Sequence, residues 1–119
     1  MLKVYSYSNC STCRNAAKWL RARGIEFEER PIRETPPSLK ELEAMLAAYK
    51  GSLKRLFNTS GRDYRERKVG EKLETISTRD ALALLERNGN LVKRPFVFGP
   101  GVALVGFDEK TWESALAGR

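Results

Sequence analysis

A Cys-x-x-Cys motif, Cys10 to Cys13, stands between a stretch with strand periodicity and a stretch with helical periodicity. Residues 2–7 show a period of two in β-favouring side chains, which predicts a strand. Residues 11–23 carry apolar side chains at helical spacing, and Gly24 follows where a left-handed helix cap is expected. The motif therefore lies at a strand-to-helix corner, with Cys10 at the helix N-terminus.

Residues 25–30 form the second predicted strand. Ile25 and Phe27 alternate there with Glu26 and Glu28, again with a period of two. A helix that connects two neighbouring strands of one sheet forms a crossover, and such a crossover pairs the strands in parallel. The N-terminal part of the chain thus predicts a strand, helix, strand unit.

The middle of the chain is predicted to be helical. Ser38 and Glu41 have the spacing of a capping box, and apolar residues follow on one helical face as far as Tyr49, before Gly51. Residues 52–72 predict two short helices around a loop. The connection between the two predicted halves of the sheet is therefore long and largely helical.

The C-terminal part predicts one more helix, a hairpin and a final helix. Ser77 is expected to cap the first of these helices. Residues 96–98 and 102–107 flank a glycine-containing connection of hairpin length, so the two strands are expected to pair antiparallel. Asp108 is then expected to cap the final helix, which carries Trp112.

This order of elements predicts an α/β fold of the thioredoxin type, with helices covering a mixed four-stranded sheet. A helical insert, about residues 38–88, separates the N-terminal strand, helix, strand unit from the C-terminal hairpin and helix. No repeat, low-complexity tract or linker interrupts residues 1–119, so we expect the whole chain to form a single domain.

Charge and residue usage narrow the classes of function. The 119 residues include 22 Lys+Arg and 15 Asp+Glu, a formal net charge of +7 that favours anionic partners. The sequence contains no histidine, which removes the commonest general base and the commonest metal ligand. Two cysteines are too few for the disulfide framework of a small secreted domain. Much conventional hydrolase chemistry is therefore disfavoured.

The sequence gives no signal for export or for membrane insertion. Residues 1–10 lack a sustained apolar region. Nowhere in the chain do about 18 uncharged apolar residues follow one another. We therefore expect a cytoplasmic protein without a membrane partner.

The spacing of Cys10 and Cys13 predicts redox chemistry. One thiolate of such a pair attacks a disulfide or an oxidant, and the second resolves the mixed disulfide, because the two sulfurs lie within about one helical turn. Cys10 is the expected nucleophile, since a helix N-terminus stabilises a thiolate and lowers its pKa. Cys13 is expected to be more shielded and to act second.

Other interpretations of the pair carry less weight. A zinc site needs about four ligands, and with no further Cys and no His it would have to recruit carboxylates or a second chain. The two cysteines could also be buried simply as small apolar residues. A phosphatase-like loop is disfavoured, because Ala16 occupies the position of its arginine and the nearby arginine is Arg14.

Three segments of the sequence are similar to the arsenate reductase and Spx family of thioredoxin-fold proteins. The segments are KVYSYSNCSTCRNAAKWL, SLKRLFNTSGRDYRE and NLVKRPFVFGPGVALVGF, and the similarity covers nearly the whole chain. The resemblance implies a thioredoxin-like core with a helical insert between its two halves, and it implies that Cys10 is the reactive thiol. It also implies that Pro95 follows a cis peptide bond and holds Arg94 near the sulfur.

Several residues are candidates to support the loop or a bound oxyanion. An arginine at position 94 would stabilise a thiolate and offer a planar fork to an oxyanion, although a solvated or ion-paired Arg94 is the plain alternative. Arg14 either faces the anion loop or points to water. Asn9 either supplies an amide to that loop or has an ordinary role in a turn. The remaining candidates are Ser11, Thr12 and Pro95.

The resemblance is incomplete around the oxyanion. Glutaredoxin-coupled arsenate reductases of this family place two further arginines there, and Asn58 and Phe107, with Gly106 beside it, hold those positions here. Charge-assisted hydrogen bonds contribute about 1.5–3 kcal/mol each, so their loss should weaken arsenate binding. Glutathione-dependent members also rely on one thiol in this motif, whereas Cys10 with Cys13 resembles the redox switch of Spx regulators.

Two functions from different classes are consistent with these features. The first is a thiol oxidoreductase without a bound cofactor, with glutathione, glutaredoxin or thioredoxin as external reductant and a small oxidant or protein disulfide as substrate. The alternative is an Spx-like redox-sensing transcriptional regulator that binds the RNA polymerase α-subunit. Direct nucleic-acid binding is disfavoured, because acidic residues interleave with the basic ones of residues 54–72.

Overall fold

The computed structural model describes residues 1–118, and Arg119, the last residue of the predicted domain, lies outside the described residues. The strands are β1 (Leu2–Ser6), β2 (Phe27–Pro31), β3 (Phe96–Gly99) and β4 (Val102–Val105). The helices are α1 (Ser11–Ala22), α2 (Leu39–Ala48), α3 (Arg62–Glu66), α4 (Val69–Lys72), α5 (Thr78–Arg87) and α6 (Glu109–Ala115). Within residues 1–118 no helix has the length and apolar composition that crossing a membrane requires.

The four strands form one mixed sheet in the order β2, β1, β3, β4. β1 pairs in parallel with β2, from Leu2 opposite Phe27 to Ser6 opposite Pro31. β1 pairs antiparallel with β3, and β3 pairs antiparallel with β4. The predicted α/β class, the mixed four-stranded sheet and the antiparallel hairpin are therefore confirmed.

Helices cover both faces of the sheet, and each face has its own buried cluster. On one face, Trp19 of α1 and Trp112 of α6 pack with the strand residues Val4 and Val97. On the other face, residues of α2 and α5 pack with Tyr5 of β1. Because successive side chains of a strand point to opposite faces, β1 and β3 contribute to both clusters.

Two predicted helix starts are confirmed by their caps. Ser38 Oγ accepts a hydrogen bond from the Glu41 N–H (3.2 Å), and the Glu41 carboxylate accepts one from the Ser38 N–H (3.0 Å). Ser77 Oγ accepts from the Asp80 N–H (3.1 Å) at the start of α5. These caps satisfy backbone donors that a helix N-terminus otherwise leaves unpaired.

Some element boundaries differ from the prediction. β2 begins later than expected, because the Ile25 N–H donates to the Leu20 carbonyl (3.1 Å) and closes the end of α1 instead. β4 ends at Val105, because Gly106 has a φ of 70° and turns the chain away. Of the two short helices predicted in residues 52–72, the first is a 3-10 helix (Leu53–Leu56) and the second is divided into α3 and α4.

Candidate active site

Cys10 is the N-cap residue of α1. Its backbone is extended (φ −101°, ψ 115°), and its Sγ accepts a hydrogen bond from the Cys13 N–H at 3.3 Å. The Cys10 N–H in turn donates to the Tyr7 carbonyl (3.0 Å), which closes the loop between β1 and the helix. The sulfur therefore takes the place of the oxygen that a Ser or Thr cap would present to the helix N-terminus.

The two thiols have different acidities. Burial raises the pKa of Cys10, but hydrogen bonds from Cys13 and the charge and hydrogen bond of Arg94 outweigh it, so the pKa lies below its ordinary value. Burial, together with the hydrogen bond and charge of Cys10, raises the pKa of Cys13 well above its ordinary value. Both are free thiols, and Cys10 is the one that ionises first.

Arg94 reaches this loop from the start of β3. The peptide bond between Arg94 and Pro95 is cis, as the resemblance implies, and Pro95 itself is buried. The Arg94 guanidinium carbon lies 5.1 Å from the centroid of the Tyr7 ring. The guanidinium is therefore in contact with the loop that presents Cys10, and its charge favours the thiolate there.

Cys10 opens into a cleft of about 690 Å³. Of the predicted site residues, Thr12 and Arg94 line the cleft with it, and Asn58 and Phe107 line the same cleft. The other lining residues are Ser60, Gly61, Arg62, Lys93, Gly106 and Asp108. The surroundings of the thiol are therefore predominantly basic, with Arg62, Lys93 and Arg94 against Asp108, whereas Asn58 and Phe107 are uncharged.

Two cations of the cleft, Arg62 and Lys93, were not predicted as site residues. In the sequence Arg62 belongs to a run of mixed charge that predicts a solvated helix surface, and its Nε does lie 3.9 Å from Glu66 Oε1. Lys93 directly precedes Arg94. Both belong to segments that carry the family resemblance, and this was the signal that could have identified them.

The other predicted residues lie outside the cleft. Arg14 Nη1 donates to the Ser8 carbonyl (2.7 Å), so this arginine holds the loop from its outer side. Asn9 Nδ2 donates to Tyr7 Oη (3.3 Å). Ser11 is exposed at the start of α1. These residues contact the loop backbone or solvent, and the cleft itself is lined by others.

Cys13 lies one helical turn into α1 and is buried. It borders a different pocket, of about 280 Å³, together with Arg14. In residues 1–118 no group of three or more Cys, Asp or Glu side chains is placed to hold a metal ion. The groups gathered at the site are thiols, guanidinium groups, an ammonium and amides, a set that can activate a sulfur nucleophile and bind an anion.

Known proteins are similar to this chain in sequence and in fold. A sequence profile described as the ArsC family matches residues 5–115. The uncharacterized protein YusI of Bacillus subtilis is 44% identical over 116 residues, covering 98% of this chain and 98% of that protein. The global transcriptional regulator Spx of Enterococcus faecalis is 30% identical over 109 residues, covering 92% of this chain and 81% of the regulator. The crystal structure of an ArsC family related protein from Bacteroides fragilis has 40% identity and a TM-score of 0.89, covering 96% of each chain.

Proposed function

The chain belongs to the ArsC family, and from this premise we propose that it is a thiol-disulfide redox protein with Cys10 as nucleophile and Cys13 as resolving thiol. The observation that carries the proposal is the unequal placement of the two sulfurs. Cys10 caps α1 and opens into the basic cleft, whereas Cys13 is only 4% exposed. A pair with one reachable and one shielded thiol suits an attack followed by an internal resolution.

The proposed reaction has two exchange steps. The Cys10 thiolate attacks one sulfur of a substrate disulfide, the substrate S–S bond breaks, and the departing half leaves as a thiolate that takes a proton from water. Cys13 then loses its proton to solvent, attacks the Cys10 sulfur and releases the second half as a thiol. The substrate disulfide gains two electrons and becomes two thiols, while Cys10 and Cys13 are oxidised to a disulfide.

The raised pKa of Cys13 is compatible with this second role. Burial is the largest cause of the shift, and the hydrogen bond and charge of Cys10 add to it. In the mixed disulfide Cys10 carries no negative charge and therefore no longer raises the pKa of Cys13. The positive charge of Arg94 still favours a Cys13 thiolate. The first step therefore prepares the second.

The cycle closes when an external reductant restores the two thiols. Glutathione, glutaredoxin or thioredoxin are the reductants we propose, and the protein is then expected in the cytoplasm, where these systems keep thiols reduced. A small disulfide or a protein disulfide fits the cleft better than arsenate, because Asn58 and Phe107 line it without charge. Arg62 and Lys93 still draw anionic substrates toward the thiol.

Two single-cysteine variants test the mechanism with hydroxyethyl disulfide as substrate. In Cys10→Ser we expect turnover to fall by more than about 100-fold, because a serine hydroxyl supplies no thiolate. In Cys13→Ser we expect one attack and no resolution, so the intact mass of the protein should increase by one half of the disulfide. Turnover retained in Cys10→Ser, or an adduct that forms as fast in Cys10→Ser as in Cys13→Ser, would overturn the assignment.

Arsenate is tested in the same preparations. NADPH consumption is followed with arsenate, glutathione, glutaredoxin and glutathione reductase, which passes the electrons of NADPH to oxidised glutathione, and Cys10→Ser is the blank. We expect no turnover above the blank, because charge-assisted hydrogen bonds of about 1.5–3 kcal/mol each are missing at two positions around the oxyanion. Turnover that depends on Cys10 would show that Arg94, Arg62 and Lys93 suffice to bind arsenate.

A regulatory function is the second candidate, and the similarity to the Spx regulator favours it. In this alternative, which we propose beside the first, the protein binds the RNA polymerase α-subunit in a manner that depends on the redox state of Cys10 and Cys13. Binding of the purified α-subunit to the reduced and oxidised protein tests it, with Cys13→Ser as the control that forms no internal disulfide. Binding in only one redox state supports the regulator, and absence of binding in both states removes it.

A further inference from the structure

Tyr7, Arg33 and Arg94 form a stacked cluster at one edge of the sheet, which we call the arginine cluster. Tyr7 follows β1, Arg33 follows β2 and Arg94 precedes β3, so neighbouring strands bring the three together. The guanidinium carbons of Arg33 and Arg94 lie 4.9 and 5.1 Å from the Tyr7 ring centroid. Arg33 Nη1 also donates to Tyr7 Oη (2.9 Å). Both guanidinium groups are therefore held against the same tyrosine ring.

The arginine cluster lines a pocket of about 310 Å³ that adjoins the cleft of Cys10. The remaining lining residues of this pocket are Asn58, Gly61, Arg62, Asp63 and Asn90. Both spaces are lined by Arg94, by Arg62 and by two residues of the loop before α3. A ligand in the pocket would therefore share Arg94 and Arg62 with a substrate in the cleft.

Positive charge in this pocket exceeds the negative charge. Arg33, Arg62 and Arg94 line it, and among its lining residues they face the single carboxylate of Asp63. Arg62 has a carboxylate only at 3.9 Å. Within residues 1–118 neither Arg33 nor Arg94 forms an ion pair with a carboxylate. Guanidinium groups that line one pocket repel one another, and an anion bound in that pocket would relieve the repulsion.

We propose that this pocket binds a carboxylate group of the disulfide substrate, so that the protein acts preferentially on disulfides that carry a carboxylate near the sulfur atom. The inference rests on the proposed function, because it specifies the substrate class of the same site. The planar fork of an arginine matches the two oxygens of a carboxylate, and Tyr7 holds such a fork in place on Arg33. A neutral disulfide would leave this charge unpaired.

The carboxylate takes no part in the exchange of electrons. The Cys10 thiolate breaks the substrate S–S bond and forms the mixed disulfide, and Cys13 releases the bound half as a thiol. The substrate gains two electrons and the cysteine pair loses two, while the carboxylate keeps its charge throughout. The role of Arg33 is therefore to position the substrate by its acidic group.

Two small disulfides of similar size test the proposal. Dithiodipropionate carries a carboxylate on each half, and hydroxyethyl disulfide carries a neutral hydroxyl group. The measured quantity is the ratio of the rates at which the two compounds oxidise the reduced wild-type protein and its variants. We expect Arg33→Gln to lower the ratio of carboxylate to neutral substrate by about tenfold, since a charge-assisted hydrogen bond is lost.

Two further variants separate charge from geometry. Arg79→Gln removes one exposed positive charge from α5, outside the pocket, and should leave the ratio unchanged. Arg33→Lys keeps the charge but loses the fork, so its ratio should fall by about threefold. A ratio that falls equally in Arg33→Gln and Arg79→Gln, or in neither variant, would overturn the proposal.

A second pair of probes distinguishes a small molecule from a peptide as the source of the carboxylate. The two probes are disulfides of one cysteine-containing peptide, which has aspartate next to the cysteine in the first probe and asparagine in the second. A preference for aspartate that depends on Arg33 identifies a peptide, and a preference confined to dithiodipropionate identifies a small acid. If neither pair of probes shows a preference for the carboxylate, the inference about the pocket is overturned while the proposed function stands. If no disulfide oxidises the wild-type protein, the proposed function is overturned as well.

Discussion

Two groups of polar side chains stand along β1 and the loop that follows it, and they differ in how their charges are balanced. In the first, which we call the glutamate network, Lys3 Nζ and Tyr5 Oη each donate to the Glu41 carboxylate at 2.7 Å. Tyr7 lies just after β1 and packs against the same buried cluster as Tyr5. It belongs to the arginine cluster, whose two arginines form no ion pair with a carboxylate in residues 1–118.

The charges of the glutamate network stabilise the fold, whereas the charges of the arginine cluster are available to a ligand. Glu41 is 6% exposed, and its hydrogen bonds join β1 to the start of α2. Every strong interaction of this carboxylate is made within the protein. The arginine cluster is half-buried or exposed, and its charge acts on the Cys10 thiolate and on the pocket beside it. β1 and the loop that follows it thus contribute separately to stability and to chemistry.

Removing the carboxylate of the glutamate network should give the largest effect on stability. We expect Glu41→Ala to lower the free energy of unfolding by about 2 kcal/mol, because Lys3 and Tyr5 lose a shared acceptor. Urea unfolding measures this loss, and Glu43→Ala, an exposed glutamate on the same helix, is the matched control. The alkylation rate of Cys10 should not change. Equal losses in the two variants would show that the network contributes nothing beyond a surface charge.

Removing a charge from the arginine cluster should change the reactivity of Cys10 and leave the stability of the protein nearly unchanged. Without Arg94 the pKa of Cys10 rises, so at neutral pH we expect Arg94→Gln to slow alkylation of Cys10 by about tenfold. The free energy of unfolding should change by less than about 0.5 kcal/mol. At a pH high enough to ionise Cys10 fully in both wild type and Arg94→Gln, the two alkylation rates should become equal. An unchanged rate at neutral pH would mean that Arg94 does not act on the thiolate.

The pH dependence of stability sharpens the contrast. Burial raises the pKa of Glu41, but hydrogen bonds from Lys3, Tyr5 and the Ser38 N–H outweigh it, and the pKa lies below its ordinary value. Such a group contributes fully above its unfolded pKa, about 4.3, and its contribution is lost as the pH falls through the folded pKa. The difference in unfolding free energy between wild type and Glu41→Gln should therefore shrink as the pH is lowered below about 4. A difference that stays constant would contradict this.

The smallest expected effect comes from Tyr7→Phe. This variant keeps the ring that both guanidinium groups contact but removes the acceptor of the Arg33 and Asn9 hydrogen bonds. We expect the carboxylate preference to fall by about twofold, since one neutral acceptor contributes only about 0.5–1.5 kcal/mol. The ratio of oxidation rates with the two small disulfides measures it. A fall as large as that of Arg33→Gln would mean that the phenol itself contacts the substrate.

Local patterns in the sequence predicted much of the fold. The period of two in β1, the box formed by Ser38 and Glu41, and the glycine-containing hairpin each depend on residues close together in the chain. The position of Cys10 at a helix N-terminus follows from the same kind of pattern. By contrast, the position of Arg94 beside the sulfur was implied only by the family resemblance.

The pocket was not predicted, because its parts are distant in the sequence. Tyr7 and Arg33 meet because the carboxyl ends of the parallel strands β1 and β2 lie at one edge of the sheet. Each residue taken alone is an ordinary polar residue after a strand. Arg62 was masked by the acidic residues around it, which made its segment indistinguishable from a solvated helix. These residues line one pocket because of tertiary contacts. A local sequence pattern does not reveal such contacts.

The most direct test of the central claim is the pH dependence of alkylation at each cysteine, followed by mass spectrometry of the reduced protein. The rate of alkylation reports the thiolate fraction of each group. We predict that Cys10 reaches half of its maximal rate at a pH below the ordinary thiol pKa of about 8.5, and that Cys13 reacts only at a much higher pH. Identical profiles for the two cysteines, or earlier reaction of Cys13, would contradict the assignment of nucleophile and resolving thiol.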